Sequence, residues 1–233
     1  MARAGRSPTH VLILGSILLS GLSARPSAAQ IGVEDFDLGG SASVVSRDCI
    51  RLTPDVPYVS GSAWLRRPID LRRPFELSMS VVLGDKNEQG ADGIVFVLHP
   101  QPKTGFRGEG LGFAGLAPSL GVEIDTYRNL HLDDPVSDHL AVMRDGASFH
   151  GPSSVAVVEL GNVEDGRRHP FRVSWDPEAG RLRIRFDSQR VDVPGLELER
   201  AFGGRTRLHW GITAGTGRLS NAQDVCFDPF ASV

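Results

Sequence analysis

Along most of the chain, apolar and polar residues alternate with a period of two, the pattern of strands rather than helices. Phe75, Leu77, Met79, Val81 and Leu83 alternate with Glu76, Ser78 and Ser80, which predicts a strand with one buried face. Ile94-Val95-Phe96-Val97-Leu98 is apolar throughout and predicts a strand covered on both faces. Phe171, Val173 and Trp175, then Leu182, Ile184 and Phe186, alternate with polar residues on either side of Asp176-Pro177-Glu178-Ala179-Gly180. That spacing predicts a hairpin. Leu208, Trp210, Ile212 and Ala214 alternate again, and only Leu196 to Phe202, ahead of Gly203-Gly204, suggests a short helix. Many short strands with Gly and Pro turns, and no internal repeat or linker, predict one all-β domain, a sandwich or a barrel, over residues 30–233.

Residues 1–29 break the pattern. Arg3 and Arg6 give a basic start, Val11 to Leu22 form an apolar run, and Ser27-Ala28-Ala29 supplies small residues ahead of Gln30. This is the layout of a cleavable export signal. The run is shorter than the roughly 20 apolar residues that span a bilayer, so no transmembrane anchor is expected after cleavage. The expected location is secreted, periplasmic or extracellular. The full chain carries 25 Lys and Arg against 28 Asp and Glu, a formal charge of −3. Such a balance has no electrostatic footprint for nucleic acid. In an oxidising compartment the two cysteines, Cys49 and Cys226, are candidates for a disulfide, with two buried thiols as the alternative.

Several chemical signals fail on inspection. Gly110-Leu111-Gly112-Phe113-Ala114-Gly115 has the spacing of a dinucleotide fingerprint, but Pro118 and the strand-like Leu120 to Ile124 leave no helix N-terminus for a pyrophosphate. Trp64, Trp175 and Trp210 sit in strand patterns and are expected in the core. His99, His150, His169 and His209 have no partner at a telling spacing and are expected at strand ends.

One segment concentrates chemistry. Glu123, Asp125 and Tyr127 are spaced by two and share one face of a strand. Asn129 follows, then a loop with Asp133, Asp134 and Pro135, and His139 opens the next apolar stretch. Carboxylates on one strand face repel each other unless a cation lies between them. Calcium takes six to eight oxygens, which such a loop can supply. The Glu and His add donors suited to a second ion such as manganese. A solvated acidic turn is the competing reading, and spacing alone leaves both open.

The same residues resemble the metal-binding signature of the L-type lectins, the legume seed lectins and their secretory-pathway and bacterial relatives. Glu123, Asp125, Tyr127, Asn129, Asp134 and His139 match its positions in register. Ala91-Asp92-Gly93 ahead of the apolar strand, Gly108 to Gly115, Ala214 to Asn221, and the N-terminal Ser41-Ala42-Ser43 and Ser62-Ala63-Trp64 match further family segments in order. The resemblance covers residues 34–230. It implies an antiparallel, concanavalin A-like jelly-roll sandwich and a non-catalytic protein that binds glycans with the help of calcium, with a second, transition-metal position.

The resemblance further implies calcium on Asp125, the Tyr127 carbonyl, Asn129 and Asp134. It assigns Glu123, Asp125, Asp134 and His139 to the second ion. It implies sugar contacts from Asp92, following a cis Ala91–Asp92 peptide, from the Gly110 N–H, from Tyr127 and Asn129, and from the loop of Gly217 and Arg218. Homo-oligomers formed by edge-to-edge sheet pairing are a family option that the sequence leaves open. Glu109 in the glycine loop and Arg218 beside the site depart from the pattern and bear on specificity. Two alternatives stand beside this reading. A glycoside hydrolase of the same sandwich needs a second carboxyl, but Arg128 stands where it should be. An adhesion module would use the metal only to brace a loop.

Overall fold

The structure, a computed structural model, describes residues 1, 31–151 and 154–227. The expected export signal, residues 1–29, lies outside this range apart from Met1. The strands are β1 (Phe36–Gly40), β2 (Ser43–Val44), β3 (Cys49–Thr53), β4 (Ser60–Leu65), β5 (Ile69–Asp70), β6 (Phe75–Val82), β7 (Gly93–His99) and β8 (Leu120–Asp125). They continue with β9 (His139–Arg144), β10 (Ser154–Glu159), β11 (His169–Asp176), β12 (Arg181–Phe186) and β13 (Gln189–Val193). After one helical turn, α1 (Leu198–Ala201), come β14 (Arg207–Gly215) and β15 (Gln223–Cys226).

All the strand pairs are antiparallel and fall into two sheets. The 8-stranded sheet runs β1-β4-β14-β7-β8-β9-β10, with β5 also paired to β14; the 7-stranded sheet runs β13-β12-β11-β6-β15-β3-β2. This two-sheet sandwich is the jelly roll expected above. The expected hairpin is β11–β12, with Trp175 opposite Leu182. The helical hint shortens to the single turn α1, because Gly203 and Gly204 leave the helix at φ +63° and +81°.

Alternation decides which side chains meet. Leu77, Met79 and Val81 of β6 and Phe171, Val173 and Trp175 of β11 face Ile94, Phe96 and Leu98 of β7 and Val122 and Ile124 of β8 across the sandwich. β7 is buried on its other side too. There Val95 and Val97 join Trp64, Ala141 and Met143 under Leu111, Phe113 and Leu116 of the glycine-rich loop. The loop is therefore clamped to the sheet by its own apolar residues. The three tryptophans are all buried, as expected of core residues.

Two of the four histidines expected at strand ends lie there: His99 closes β7 and His169 opens β11. His169 does have partners, in Asp187 and Asp165 at 2.8 and 3.1 Å. The other two require correction. His209 lies inside β14 with its ring against the Leu65 carbonyl, and His150 sits in a loop, turned into a buried acidic cluster. Their partners come from remote segments, which sequence spacing does not display.

Cys49 and Cys226 form a disulfide across 177 residues of chain and sit opposite each other where β15 pairs with β3. Reduction releases a long loop in the unfolded state. Cys49→Ala/Cys226→Ala is expected to cost about 3 kcal/mol, lowering Tm by about 6–12 °C in a thermal melt. An unchanged Tm would show that strand pairing alone restrains this edge. Among the described residues, no helix is long and apolar enough to cross a membrane.

Candidate metal centre and adjoining pocket

Strand register assembles the acidic segment at one end of the first sheet. Asp125 pairs with Gly93 on β7 and with His139 on β9, while Glu123 lies opposite Val95 and Ala141. Val122 and Ile124 take the face toward the second sheet, so Glu123 and Asp125 emerge on the other face, beneath the loops. There they are 2% and 4% exposed, with His139 at 2% and Asp134 at 6%. The loop from 126 to 138 folds around them. Tyr127 N–H donates to Asp125 Oδ1 at 2.8 Å and Asn129 N–H donates to Asp134 Oδ2. A tight turn, Leu130–Leu132, and Asp133 at φ +63° return the chain to Asp134.

A second histidine joins this cluster. His150 Nε2 lies 2.8 Å from Glu123 Oε1 and 3.0 Å from His139 Nε2, and its Nδ1 lies 2.9 Å from Asp134 Oδ1. Its N–H donates to the Leu132 carbonyl at 2.8 Å, which fastens the 145–151 loop to the acidic one. Burial raises the pKa of Glu123, and burial followed by the Glu123 and Asp134 charges holds Asp125 well above the usual carboxylate range. His139 falls to about 4, through burial first and the neighbouring His150 second. Burial opposes charge on His150 too, but Asp134 and Glu123 outweigh it and push it up to about 10.

These donors fit divalent cations. Glu123, His139 and His150 form one group with ligand atoms within 4.8 Å of one another, and Asp125, Asp134 and His139 form a second. Glu123 Oε1, Asp134 Oδ1 and Asn129 Oδ1 are buried without a hydrogen bond. Three carboxylates buried this close together, two of them sharing one imidazole, are unfavourable, and a divalent cation between them removes the penalty.

A pocket of about 360 Å³ adjoins the cluster, lined by Tyr58, Asp92, Arg107, Gly108, Glu109, Tyr127, Asn129, Gly217 and Arg218 among others. Asp92 follows a cis Ala91–Asp92 peptide, as expected. Its carbonyl accepts from Thr126 N–H at 2.8 Å and Thr126 Oγ1 at 3.1 Å, tying it to the residue after Asp125. Gly93 has φ +151°, and a Cβ there would meet the Ile124 carbonyl oxygen at 2.3 Å, so only glycine fits between Asp92 and β7. The Asp92 carboxylate is 4% exposed with Oδ2 unpartnered, and burial, aided by Glu109, pushes its pKa up to about 7.

The structure thus brings Asp92, Tyr127, Asn129, Gly217 and Arg218 to one cavity. Gly110 stands apart. It closes a tight turn by donating its N–H to the Arg107 carbonyl at 3.3 Å, and Gly108 and Glu109 line the cavity in its place. Sequence reasoning missed Tyr58, Arg107 and His150. Tyr58 is 56% exposed, with the Arg107 guanidinium 5.9 Å from its ring. Its N–H donates to the Gly217 carbonyl at 2.9 Å, a link between segments far apart in the chain. Glu109 is held by His131 at 3.0 Å and by the Asn129 side chain at 3.3 Å. Behind the pocket, Glu164 is 2% exposed, accepts from Asn221 Nδ2 at 2.5 Å, and is pushed up to about 8 by burial and then the Asp138 charge. A larger groove of about 790 Å³, at Trp175, Leu196 and Arg200, holds none of these donors.

The shifts set the pH response of the metal-free protein. Asp92, Glu164 and His150 rise to about 7, 8 and 10 from ordinary values of 3.8, 4.5 and 6.5. Between about pH 6 and 8 the folded state therefore holds more protons than the unfolded one, and stability falls as pH rises. Calorimetry in chelator is expected to show Tm dropping by several degrees across that window. A rise would contradict the assigned environments.

The fold and this cluster define an L-type lectin domain, and the chain belongs to that family. The family profile, described as a legume lectin beta-barrel domain, matches residues 29–229. The Bauhinia forficata lectin in complex with GalNAc superposes with a TM-score of 0.71 at 21% identity, covering 83% of this chain and 90% of that one. The VIP36 exoplasmic/lumenal domain, in its Ca2+/Man3GlcNAc-bound form, gives 0.63 at 24% identity, covering 82% and 81%. Among curated proteins, the chain is 36% identical over 209 residues to a Staphylococcus aureus serine-rich adhesin for platelets and 30% identical over 197 residues to the Bacillus thuringiensis pesticidal crystal protein Cry22Aa. These matches take in 79% and 83% of this chain but only 9% and 24% of those longer proteins.

Proposed function

We propose that the protein is a non-catalytic, calcium-dependent carbohydrate-binding protein, exported by the signal in residues 1–29. The observation that carries this reading is the buried Asp92 carboxylate, with an unpartnered oxygen, at a cavity that shares Tyr127 and Asn129 with the acidic cluster. In this reading calcium is held by Asp125, the Tyr127 carbonyl, Asn129 and Asp134, and a transition metal by Glu123, Asp125, Asp134 and His139. Bound metal would supply fixed positive charge that keeps Asp92 ionised and Asn129 oriented; it does not itself meet the sugar. Asp92 accepts hydrogen bonds from two adjacent hydroxyls, the Asn129 amide donates, Tyr127 packs on the ring face, and the 217–218 backbone closes the rim. The N–H groups of Gly110 and Gly108 are engaged by the Arg107 and Thr216 carbonyls, so the Glu109 N–H takes that role.

The disulfide agrees with an oxidising compartment, secreted, periplasmic or extracellular. The adhesin relative favours a second reading, a surface-attachment module whose metal only braces the loop. A glycan array with the purified protein, in calcium and manganese and then in chelator, separates the two. Binding that disappears in chelator is the expected result. Silence in both buffers, with a calcium-stabilised fold, would favour the attachment module.

A further inference from the structure

We propose that His150 is a direct ligand of the second metal, making that position a two-imidazole site that selects a zinc-like ion over manganese. The inference rests on the metal reading above and deepens it. Its basis is the way three buried atoms face one another. His150 Nε2 stands 2.8 Å from Glu123 Oε1 and 3.0 Å from His139 Nε2, and Glu123 Oε1 stands 3.9 Å from His139 Nε2. Ligand atoms held about 2.05 Å from a tetrahedral ion are about 3.3 Å apart, a value these three separations bracket.

The His150 Nε2–His139 Nε2 contact has hydrogen-bond geometry, whereas the contacts of His150 with the two carboxylates are close but poorly formed. Glu123 Oε1 and His150 Nδ1 are each buried with no hydrogen bond of proper geometry, although carboxylate and imidazole approach within 2.9 Å. Carboxylate and imidazole atoms that converge this closely without a formed bond are arranged to share a centre. The His150 side chain is 4% exposed, and its backbone N–H bond to the Leu132 carbonyl sets it against the acidic loop. With Nε2 toward Glu123 and His139, Nδ1 faces Asp134, the carboxylate partner that orients a metal-bound imidazole. His139 also belongs to the group with Asp125 and Asp134, so a carboxylate is at hand to complete four donors.

Donor chemistry then decides the ion. Carboxylate-rich sites suit manganese, calcium and magnesium, whereas imidazole suits zinc, copper and nickel. A second imidazole moves the position toward the latter set and leaves the calcium position, built from oxygens, unchanged.

The test is metal titration of the purified, chelator-stripped and calcium-reloaded protein, with zinc and manganese in turn, for wild type and His150→Ser. Loss of a direct ligand is expected to weaken zinc by about 100-fold or more, beyond the about 10–100-fold that an orienting partner is worth. Manganese should weaken far less, and calcium, whose ligand Asp134 loses only its contact with the His150 ring, should weaken by no more than that orienting-partner range. Cobalt-substituted wild type gives an independent count: two paramagnetically shifted exchangeable imidazole N–H signals are expected. A single signal would overturn the proposal, as would zinc affinity that His150→Ser leaves unchanged or tightens. A tightened affinity would make the imidazole a placeholder that metal displaces. If glycan binding stays chelator-sensitive while the zinc result fails, only the His150 assignment falls. If no divalent ion binds at all, the metal reading falls with it.

Discussion

Asp92→Ala is expected to abolish glycan binding, by about 100-fold or more, while leaving the fold and calcium uptake intact. The carboxylate is buried at the cavity with Oδ2 free, and its one recorded partner is the Gly217 backbone N–H on the pocket rim. Hydrogen bonds to a charged acceptor are worth about 1.5–3 kcal/mol each, and two adjacent hydroxyls would lose theirs together. The backbone should survive, because the bonds that tie residue 92 to Gly215 and Thr126 use its N–H and carbonyl. Calorimetric titration with the best glycan from the array measures the loss. Undiminished binding would move the sugar site elsewhere.

Removal of divalent ions comes second in size. Glu123, Asp125 and Asp134 are buried within one cluster, and metal bound to the folded state alone stabilises it by mass action. An ion present at about 1,000 times its Kd contributes about 4 kcal/mol. For a chain of this length each kcal/mol moves Tm by about 2–4 °C, so chelation is expected to lower Tm by about 8–16 °C. Calcium should restore it. A melt indifferent to chelator would mean that the cluster is held by shared protons instead.

What was legible in the sequence was local. Glu123, Asp125, Asn129, Asp134 and His139 lie within one short segment, so the strand period placed Glu123 and Asp125 on one face and the loop and next strand put the others close by in the chain. Strands with one or two buried faces, such as β6, β7, β11 and β14, were equally readable. β2, two residues long and exposed, has no alternation to read, and β1 ends in Gly39-Gly40. Tyr58 and His150 were invisible for a different reason. Each reaches the site through a backbone bond to a distant loop, Tyr58 to Gly217 and His150 to Leu132. Gly110 misled because a glycine can serve close approach or a tight turn, and here its turn uses the N–H.

The central claim is that the cavity at Asp92, organised by the acidic cluster, holds the sugar. A crystal structure of the calcium-loaded protein with the strongest glycan from the array tests it most directly. Adjacent hydroxyls on Asp92 and Asn129, the ring against Tyr127, and calcium between Asp125 and Asp134 are the expected result. A sugar seated in the larger groove at Trp175 and Arg200, with Asp92 vacant, would contradict it.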